Sequence, residues 1–311
     1  MQGNTRATRR GVLGAGAGLL LAGMAGARPQ QVVEGPTVFE TGSAFYETAR
    51  FTVPGPTGGA DHLVRVAWPK GPVPEGGFRT IHALDGHAVA AMLDEELLAD
   101  LAMRGGPAIV AHGHAVESRF ATEDRARDYT PPGDEGALED PRGRRAGGAA
   151  AYLRRLGEEI LPRAEALAPL DPGRRWLWGH SYGGLFVLQA ALFGEVPFRH
   201  FVSASPSLWW DHAAFYARAL ERIGEVALEA PLDLHVGGAE RARATRPQNP
   251  KAQNLVAMRD ALPENAIGRL DAALRDAAVP GELQVFPGLS HGESFGRSLR
   301  TVFEAASSMG R

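Results

Sequence analysis

The sequence predicts an α/β fold in which helices cover both faces of a mostly parallel, eight-stranded sheet. Three observations support this prediction. The 311 residues are 44% hydrophobic and 22% charged, which is ordinary for a globular chain. Short apolar and β-branched runs are separated by turn residues, as strands are. From residue 108 onward these runs alternate with segments of helical periodicity, which is typical of strand–helix units in a parallel sheet.

The predicted elements follow in chain order. Residues 45–53 and 62–68 are two strands joined by a turn rich in Pro and Gly, and we expect them to pair antiparallel. Six further strands are predicted at residues 78–84, 108–111, 175–178, 198–204, 232–236 and 283–286. Helices are predicted at residues 149–167, from 182 to about 193, and at 213–223, 255–274 and 292–308, with Pro263 breaking or kinking the fourth. Residues 131–148 mix Pro, Gly and charge without apolar periodicity, so we expect a long, mobile loop excursion there.

The first 27 residues have the layout of a signal peptide. Arg9 and Arg10 precede an apolar, uncharged run at residues 14–23, and Ala25-Gly26-Ala27 has the small residues of a cleavage site. The paired arginines favour twin-arginine export, with an ordinary secretory signal or an uncleaved anchor as alternatives. The apolar run is shorter than the ~20 residues that span a membrane. We therefore expect a periplasmic or secreted protein without stable membrane insertion after cleavage, with residues 28–44 as a leader and 45–311 as the folded domain.

Composition and charge exclude several function classes. The formal net charge is −3, whereas nucleic-acid-binding proteins show a clustered basic excess, so we expect no nucleic-acid partner. The chain contains no cysteine, which excludes disulfides, thiolate zinc sites and a cysteine nucleophile. His112 and His114 have a spacing that can bind metal, but no further ligand set stands near them in the sequence. We expect neither a metal site nor a cofactor.

Residues 179–183, Gly-His-Ser-Tyr-Gly, match the pattern G-x-S-x-G between a predicted strand and a predicted helix. This is the context of the nucleophile elbow of α/β-hydrolases, in which a sharp, strained turn exposes a serine. Ser181 is therefore the predicted nucleophile. We expect Gly179 and Gly183 to remove Cβ atoms that would collide with the neighbouring strand and helix. The amide of Tyr182, at the helix N-terminus, is one predicted oxyanion donor.

The base and the acid are predicted from their chain order in α/β-hydrolases, which is serine, acid, histidine. His291 stands just after the last predicted strand and before the closing helix, so it is the expected base. Glu240 follows the strand before that one and is the expected acid, which would orient the imidazole. Asp233 and Asp260 are weaker candidates because the first lies inside a strand and the second inside a helix.

A second oxyanion donor is expected from the loop that follows the strand at residues 78–84. That loop is Asp85-Gly86-His87. Gly86 permits close backbone approach, so the predicted donor is the amide of His87 or Gly86, and Asp85 is expected to form the turn.

Several blocks of the sequence together resemble the "putative esterase" branch of the α/β-hydrolases. Besides Gly-His-Ser-Tyr-Gly-Gly at residues 179–184, these blocks are Leu84-Asp85-Gly86, Arg125-Ala126-Arg127-Asp128-Tyr129-Thr130-Pro131, Gly147-Gly148-Ala149, Ser205-Pro206-Ser207-Leu208-Trp209-Trp210 and Ser290-His291-Gly292-Glu293. In this order they are most similar to the trilactone siderophore esterases, which open enterobactin- or salmochelin-type macrolactones. The resemblance extends from about residue 45 to the end of the chain.

This resemblance implies the α/β-hydrolase fold and several site residues. Some members of the siderophore subgroup work with a Ser–His dyad, so the resemblance leaves the need for Glu240 open. It implies that Arg125 is a substrate or oxyanion contact. It also implies that Trp209 and Trp210 lie near the pocket, where they either stack on aromatic rings of the substrate or pack in the core.

The expected function is that of an exported serine ester hydrolase acting through an acyl-enzyme. The expected partner is a small-molecule ester, in particular a siderophore trilactone, including a ferric catecholate. A run of basic residues would suit such an anionic substrate or would form a solvated loop: Arg241, Arg243, Arg246 and Lys251. Two alternatives are a general carboxylesterase or acyltransferase of the same fold, and a non-catalytic binding protein that retains the fold.

Overall fold

The computed structural model describes residues 1, 32, 33, 35–133, 138–196, 198–240 and 250–308. Its strands are β1 (Tyr46–Val53), β2 (His62–Pro69), β3 (Phe78–Leu84), β4 (Ala108–His114), β5 (Leu138–Glu139), β6 (Arg145–Ala146), β7 (Leu170–His180), β8 (His200–Ala204), β9 (Leu232–Gly237) and β10 (Leu283–Phe286). Eight of them form one sheet in the spatial order β1-β2-β4-β3-β7-β8-β9-β10, and β5 pairs with β6 in a separate hairpin. The predicted eight-stranded sheet is confirmed.

The sheet is parallel except around β2. That strand runs antiparallel to both of its neighbours, β1 and β4, and every other neighbouring pair is parallel. The predicted antiparallel opening pair is therefore confirmed. β4 extends beyond the predicted residues 108–111 because His112 and His114 continue its pairing with β2, where His62 stands opposite His114. An apolar pattern misses this extension, although all seven residues of β4 are buried.

The helices are α1 (Val38–Thr41), α2 (Gly86–Ala90), α3 (Glu95–Met103), α4 (Thr122–Tyr129), α5 (Ala149–Arg155), α6 (Leu161–Leu167), α7 (Tyr182–Phe193), α8 (Ala214–Ile223), α9 (Pro250–Asp260), α10 (Ala266–Asp276) and α11 (His291–Ser308). Apolar residues of α4 to α8 and α10 pack into a core on one face of the sheet. Those of α1 to α3 and α11 pack into a second core on the other face. Helices therefore cover both faces, as predicted.

The helices differ from the sequence prediction at several points. A π-helical turn at Leu156–Ile160 interrupts the predicted helix at residues 149–167. The predicted break at Pro263 is confirmed, because this residue lies between α9 and α10. The helices α2, α3 and α4 were not predicted. The sequence of α4 shows why, because Thr-Glu-Asp-Arg-Ala-Arg-Asp-Tyr has no apolar stripe and its buried side chains include the ion-paired Asp124 and Asp128.

Two segments predicted as irregular carry structure. α1 lies within the predicted leader, begins with a capping box between Thr37 and Glu40, and buries Val38 in the core. The described part of the predicted excursion at residues 131–148 contains the β5–β6 hairpin and the buried, ion-paired Asp140, which its composition did not indicate. The predicted signal peptide at residues 1–27 lies outside the described residues apart from residue 1. Within the described part of the chain, none of the helices is both long and apolar enough to span a membrane.

Candidate active site

Ser181 lies in a strained turn between β7 and α7. Its φ is 62° and its ψ is −114°, a conformation that is costly for a residue with a Cβ. The turn is fixed by hydrogen bonds from the amide of Ser181 to the carbonyl of Ala204 (2.9 Å) and from the amide of Ser207 to the carbonyl of Ser181 (3.2 Å). This is the geometry that the pattern G-x-S-x-G predicted, with the serine at the N-terminal end of a buried helix.

Of the two glycines predicted to avoid a collision, Gly179 has that role and Gly183 does not. A Cβ at Gly179 would lie 2.4 Å from the carbonyl oxygen of Gly183, so glycine is required there. A Cβ at Gly183 would lie 3.5 Å from Leu84 Cβ, which is an ordinary contact. At Gly184 a Cβ would lie 2.6 Å from the carbonyl oxygen of Ala204. The second sterically required glycine is therefore Gly184, because the helix packs on β8 through that position.

The predicted oxyanion donors stand at the first residues of two helices. Tyr182 begins α7, and Gly86 and His87 begin α2 rather than forming a loop. Amides in a first helical turn have no intrahelical acceptor, so they are free to bind an anion. Asp85, with φ 60°, turns the chain at the end of β3, and its carboxylate lies close to Gly183 in the first turn of α7. The imidazole of His87 does not enter this arrangement, since its Nε2 lies 3.1 Å from Nη2 of Arg65.

Arg125 joins these two turns. Its guanidinium donates two hydrogen bonds to the buried carboxylate of Asp85, at 2.7 and 2.9 Å, and a third to the carbonyl of His180 at 3.3 Å. Burial lowers the pKa of Arg125, but the ion pair with Asp85 outweighs it, and the pKa lies above its usual value. Nη1 of Arg125 has no hydrogen-bond acceptor among the described residues, so it is the nitrogen available for the substrate contact that the resemblance implies. Nε and Nη2 bind Asp85 and His180 and so connect the two turns.

Glu240 and His291 form a hydrogen-bonded pair. The structure brings Nδ1 of His291 to 3.0 Å from Oε2 of Glu240, across 51 residues of chain. The other carboxylate oxygen, Oε1, accepts hydrogen bonds from the hydroxyl of Ser205 at 2.5 Å and from the amide of Gly237 at 2.8 Å. Burial raises the pKa of Glu240, but the hydrogen bonds from His291, Ser205 and Gly237 outweigh it and lower the pKa below its usual value. Glu240 is therefore ionised at neutral pH.

Two residues that the sequence analysis did not select support this pair. The hydroxyl of Ser294 lies between the carboxylate of Glu240 (3.3 Å) and Nε2 of His180 (3.1 Å). The ring of His180 packs against that of His291 with centroids 4.6 Å apart. Burial, together with the charges of His291 and Arg125, lowers the pKa of His180 well below its usual value, so it is neutral beside the base. His180 stands next to Ser181 in the motif, but nothing in the sequence indicates this supporting role.

The hydroxyl of Ser181 contacts a neighbour that was not predicted. Among the described residues, the hydrogen-bond partner of Ser181 Oγ is Ser207 Oγ, at 3.3 Å, and not the imidazole of His291. His291 begins α11 and its side chain is 42% exposed, so the base side of the site is open to solvent. Catalytic hydrogen bonds are often long before substrate binds, so this arrangement is compatible with a resting enzyme.

The two tryptophans differ in exposure. Trp210 is buried, and its indole N–H donates to the carbonyl of Pro131 at 3.2 Å, so it packs in the core. Trp209 is half-buried, its ring centroid lies 5.9 Å from that of Tyr182, and the guanidinium of Arg259 lies 5.4 Å from the centre of its ring. The predicted basic run at Arg241, Arg243 and Arg246 lies outside the described residues, as does the side chain of Lys251.

The pair His112 and His114 has neighbours that the sequence did not reveal. Nε2 of His114 and Nε2 of His62 both lie 2.9 Å from the same carboxylate oxygen of buried Asp128, and the three could hold a metal ion. The guanidinium of Arg127, however, already donates to both oxygens of Asp128, at 2.7 and 2.8 Å. Burial raises the pKa of Asp128, but these donors outweigh it and lower the pKa far below its usual value. The carboxylate of Asp128 therefore has three hydrogen-bonding neighbours, whereas Nδ1 of buried His62 has no hydrogen-bond partner among the described residues.

Comparisons with known proteins identify relatives of this chain. A family model described as "Putative esterase" matches residues 59–303. The apo-salmochelin esterase of Escherichia coli O6:H1 is 32% identical over 280 residues, which cover 88% of this chain and 83% of that protein. The solved structure titled "Enterobactin and Salmochelin Hydrolase IroE" matches with a TM-score of 0.71 and 30% identity over 88% of this chain and 99% of that one. The structure of an IroE complex with DFP matches with a TM-score of 0.69 and 31% identity, over 88% of this chain and 99% of that one.

Proposed function

The chain belongs to the "Putative esterase" family of serine hydrolases, and from that premise we propose that it is an exported enzyme that cleaves the ester bonds of a siderophore trilactone. The observation that carries the proposal is the pairing of His291 with the ionised Glu240 next to the strained turn of Ser181. A binding protein that had lost catalysis would have no need of a half-buried carboxylate held by four donors.

The first half of the reaction forms an acyl-enzyme. Ser181 Oγ attacks the ester carbonyl, the C=O electron pair moves to oxygen, and the proton of the serine passes to Nε2 of His291. The amides of Tyr182 and of Gly86 or His87 stabilise the oxyanion, and the carboxylate of Glu240 stabilises the imidazolium. The tetrahedral intermediate then expels the alcohol oxygen of the lactone, which takes its proton from His291.

The second half returns the enzyme to its starting state. His291 removes a proton from water, the hydroxide attacks the acyl carbon, and a second tetrahedral intermediate releases the carboxylic acid as Ser181 regains its proton. One water is consumed for each ester bond that is cleaved. The chemistry proposed here needs no electron transfer, and every proton moves between Ser181, His291, water and the leaving alcohol.

The substrate class is inferred from the relatives and from the rim of the site. The named relatives act on salmochelin and enterobactin, and the chain aligns with 83% of the first and 99% of the second. The half-buried ring of Trp209 with Arg259 beside it offers an aromatic surface and a positive charge near the nucleophile. Such a surface suits catecholate rings, which are flat and anionic.

Export is inferred from the first 27 residues, which contain the paired Arg9 and Arg10 before an apolar run. Expression of the full chain followed by cell fractionation tests it. We expect the mature protein in the periplasm or medium, and an R9K/R10K variant in the cytoplasm with the N-terminal segment retained. Recovery of the double-lysine variant outside the cytoplasm would contradict the twin-arginine route.

Hydrolysis by residues 28–311 tests the enzyme and its substrate together. Wild type and Ser181→Ala are compared on a short-chain nitrophenyl ester and on a catecholate trilactone with and without iron, with product acids and alcohols quantified. We expect the trilactone to be cleaved with a higher kcat/KM than the simple ester, and both activities to disappear in Ser181→Ala. Cleavage of the simple ester alone would indicate a general carboxylesterase, and transfer to an added acceptor alcohol would indicate an acyltransferase.

A further inference from the structure

A buried hydroxyl next to the nucleophile has no role in the mechanism above. Ser207 is 2% exposed, and within the described part of the chain its hydroxyl has a single hydrogen-bond partner, Ser181 Oγ, at 3.3 Å. Buried hydroxyls normally bond to the backbone, as Ser203 does with the carbonyl of Gly184 at 2.8 Å. The hydroxyl of Ser207 departs from this pattern, because its partner is the nucleophilic oxygen of Ser181.

The backbone holds Ser207 in place with strained geometry. Ser205 has a φ of 44°, in the left-handed region, and is followed by Pro206, whose ring restricts the chain further. The amide of Ser207 donates to the carbonyl of Ser181 at 3.2 Å, and the carbonyl of Ser207 accepts from the amide of Trp210 at 2.9 Å. Strained, hydrogen-bonded turns of this kind concentrate at functional sites, where they fix a group in one position.

The donor and acceptor capacity of the two hydroxyls decides what Ser207 can do. Each serine has one proton to donate and two lone pairs to accept with. While Ser181 donates to Ser207, it is not donating to His291 and is not activated. Once Ser181 donates to His291, the contact between the two serines can persist only if Ser207 donates to Ser181 Oγ. That bond strengthens as the proton leaves and negative charge builds on Oγ, because hydrogen bonds to ionised acceptors are stronger.

We propose that Ser207 is a further catalytic residue, whose hydroxyl donates a hydrogen bond to Ser181 Oγ while that oxygen is losing its proton. The inference rests on the proposed function, since it requires Ser181 to be the nucleophile. Ser207 keeps its own proton throughout, and the proton of Ser181 goes to His291. The same donated bond assists the reverse event in deacylation, when the Oγ–C bond breaks and Oγ departs as a developing anion.

The opposite role is also chemically conceivable, and it predicts the opposite result. If Ser207 only held the resting hydroxyl of Ser181 away from His291, its removal would free the nucleophile and raise the rate. The proposal predicts instead that removing the hydroxyl lowers the rate of attack and leaves substrate binding unchanged. The sign of the change in kcat therefore separates a catalytic donor from a restraint.

The test uses Ser207→Ala, the conservative Ser207→Thr, and Ser203→Ala as a matched loss of a buried, hydrogen-bonded hydroxyl. We measure kcat and KM on a nitrophenyl ester and the rate of covalent modification by a fluorophosphonate, which reports on the nucleophile directly. We expect S207A to lower kcat and the modification rate by roughly 10- to 100-fold with KM unchanged. S207T should recover most of the loss, and S203A should stay within about threefold of wild type.

Two controls keep the outcomes distinct. Ser181→Ala is assayed in parallel, and hydrolysis by it would overturn the proposed function itself, whatever Ser207→Ala shows. Thermal unfolding confirms that each variant is folded, and Ser207→Cys, which keeps the volume but is a weak donor, replaces the alanine variant if that one does not fold. With S181A inactive, an S207A or S207C enzyme that reacts as fast as wild type, or faster, would overturn the role of Ser207.

Discussion

Replacing Glu240 by Gln removes one charge from the site and preserves its shape. Oε2 of Glu240 lies 3.0 Å from Nδ1 of His291, so the carboxylate faces the imidazolium that forms during attack. Two unit charges ~4 Å apart near a protein surface interact by about 4 kcal/mol. The side chain of His291 is 42% exposed, and solvent screening reduces this to roughly 2–3 kcal/mol. We therefore expect E240Q to lower kcat/KM by about 100-fold.

The assay is kcat/KM on a nitrophenyl ester near neutral pH, with folding monitored by circular dichroism. Asp233→Asn is the matched control, because Asp233 lies on β9, the strand that precedes Glu240, and also bonds a histidine, His200, at 2.6 Å. We expect D233N to lose stability and to keep kcat/KM within about twofold of wild type. An E240Q enzyme that retained more than about a third of wild-type activity would show that a Ser–His dyad suffices and would refute the electrostatic reasoning.

Four further outcomes follow from the structure. In thermal unfolding, Gly184→Ala should lower the melting temperature by many degrees or prevent folding, whereas Gly183→Ala should be tolerated. The reason is that a Cβ at residue 184 would lie 2.6 Å from the carbonyl oxygen of Ala204, whereas a Cβ at residue 183 would lie 3.5 Å from Leu84 Cβ. Arg125→Lys should lower both the melting temperature and kcat/KM, the latter by about tenfold, since lysine cannot make the bidentate contact that joins the two turns of the site. Trp209→Ala should raise KM for the catecholate trilactone severalfold and leave KM for a nitrophenyl ester unchanged in steady-state assays. The pKa of Glu240 is lower in the folded protein than the value of 4.5 expected in the unfolded chain, so the ionised carboxylate stabilises the fold above pH 4.5. This stabilisation is lost as the pH falls toward the folded pKa. Urea unfolding should therefore show a steeper loss of stability below pH 4.5 for wild type than for E240Q.

The elements that the sequence predicted correctly have strong local signals. β3 and β10 have the predicted bounds, and α7 begins and ends where the G-x-S-x-G pattern and the following apolar run indicated. The chain order of strands and helices was enough to select His291 and Glu240, because each follows a strand whose carboxyl end reaches the same edge of the sheet. The elements that were missed have weak local signals, such as the polar α4 and the one-turn α2, whose formation depends on contacts with the rest of the fold.

The sequence by itself determined the fold class, the turn of Ser181 and the chain order of the acid and base, because apolar periodicity and glycine spacing are local properties of the chain. Only the tertiary structure decided which groups contact one another. It paired Arg125 with the carboxylate of Asp85, buried Trp210 and left Trp209 half-buried, and brought the hydroxyl of Ser207 to the nucleophile. These contacts join residues tens of positions apart, and their distances follow from how the strands pack side by side rather than from any spacing along the sequence.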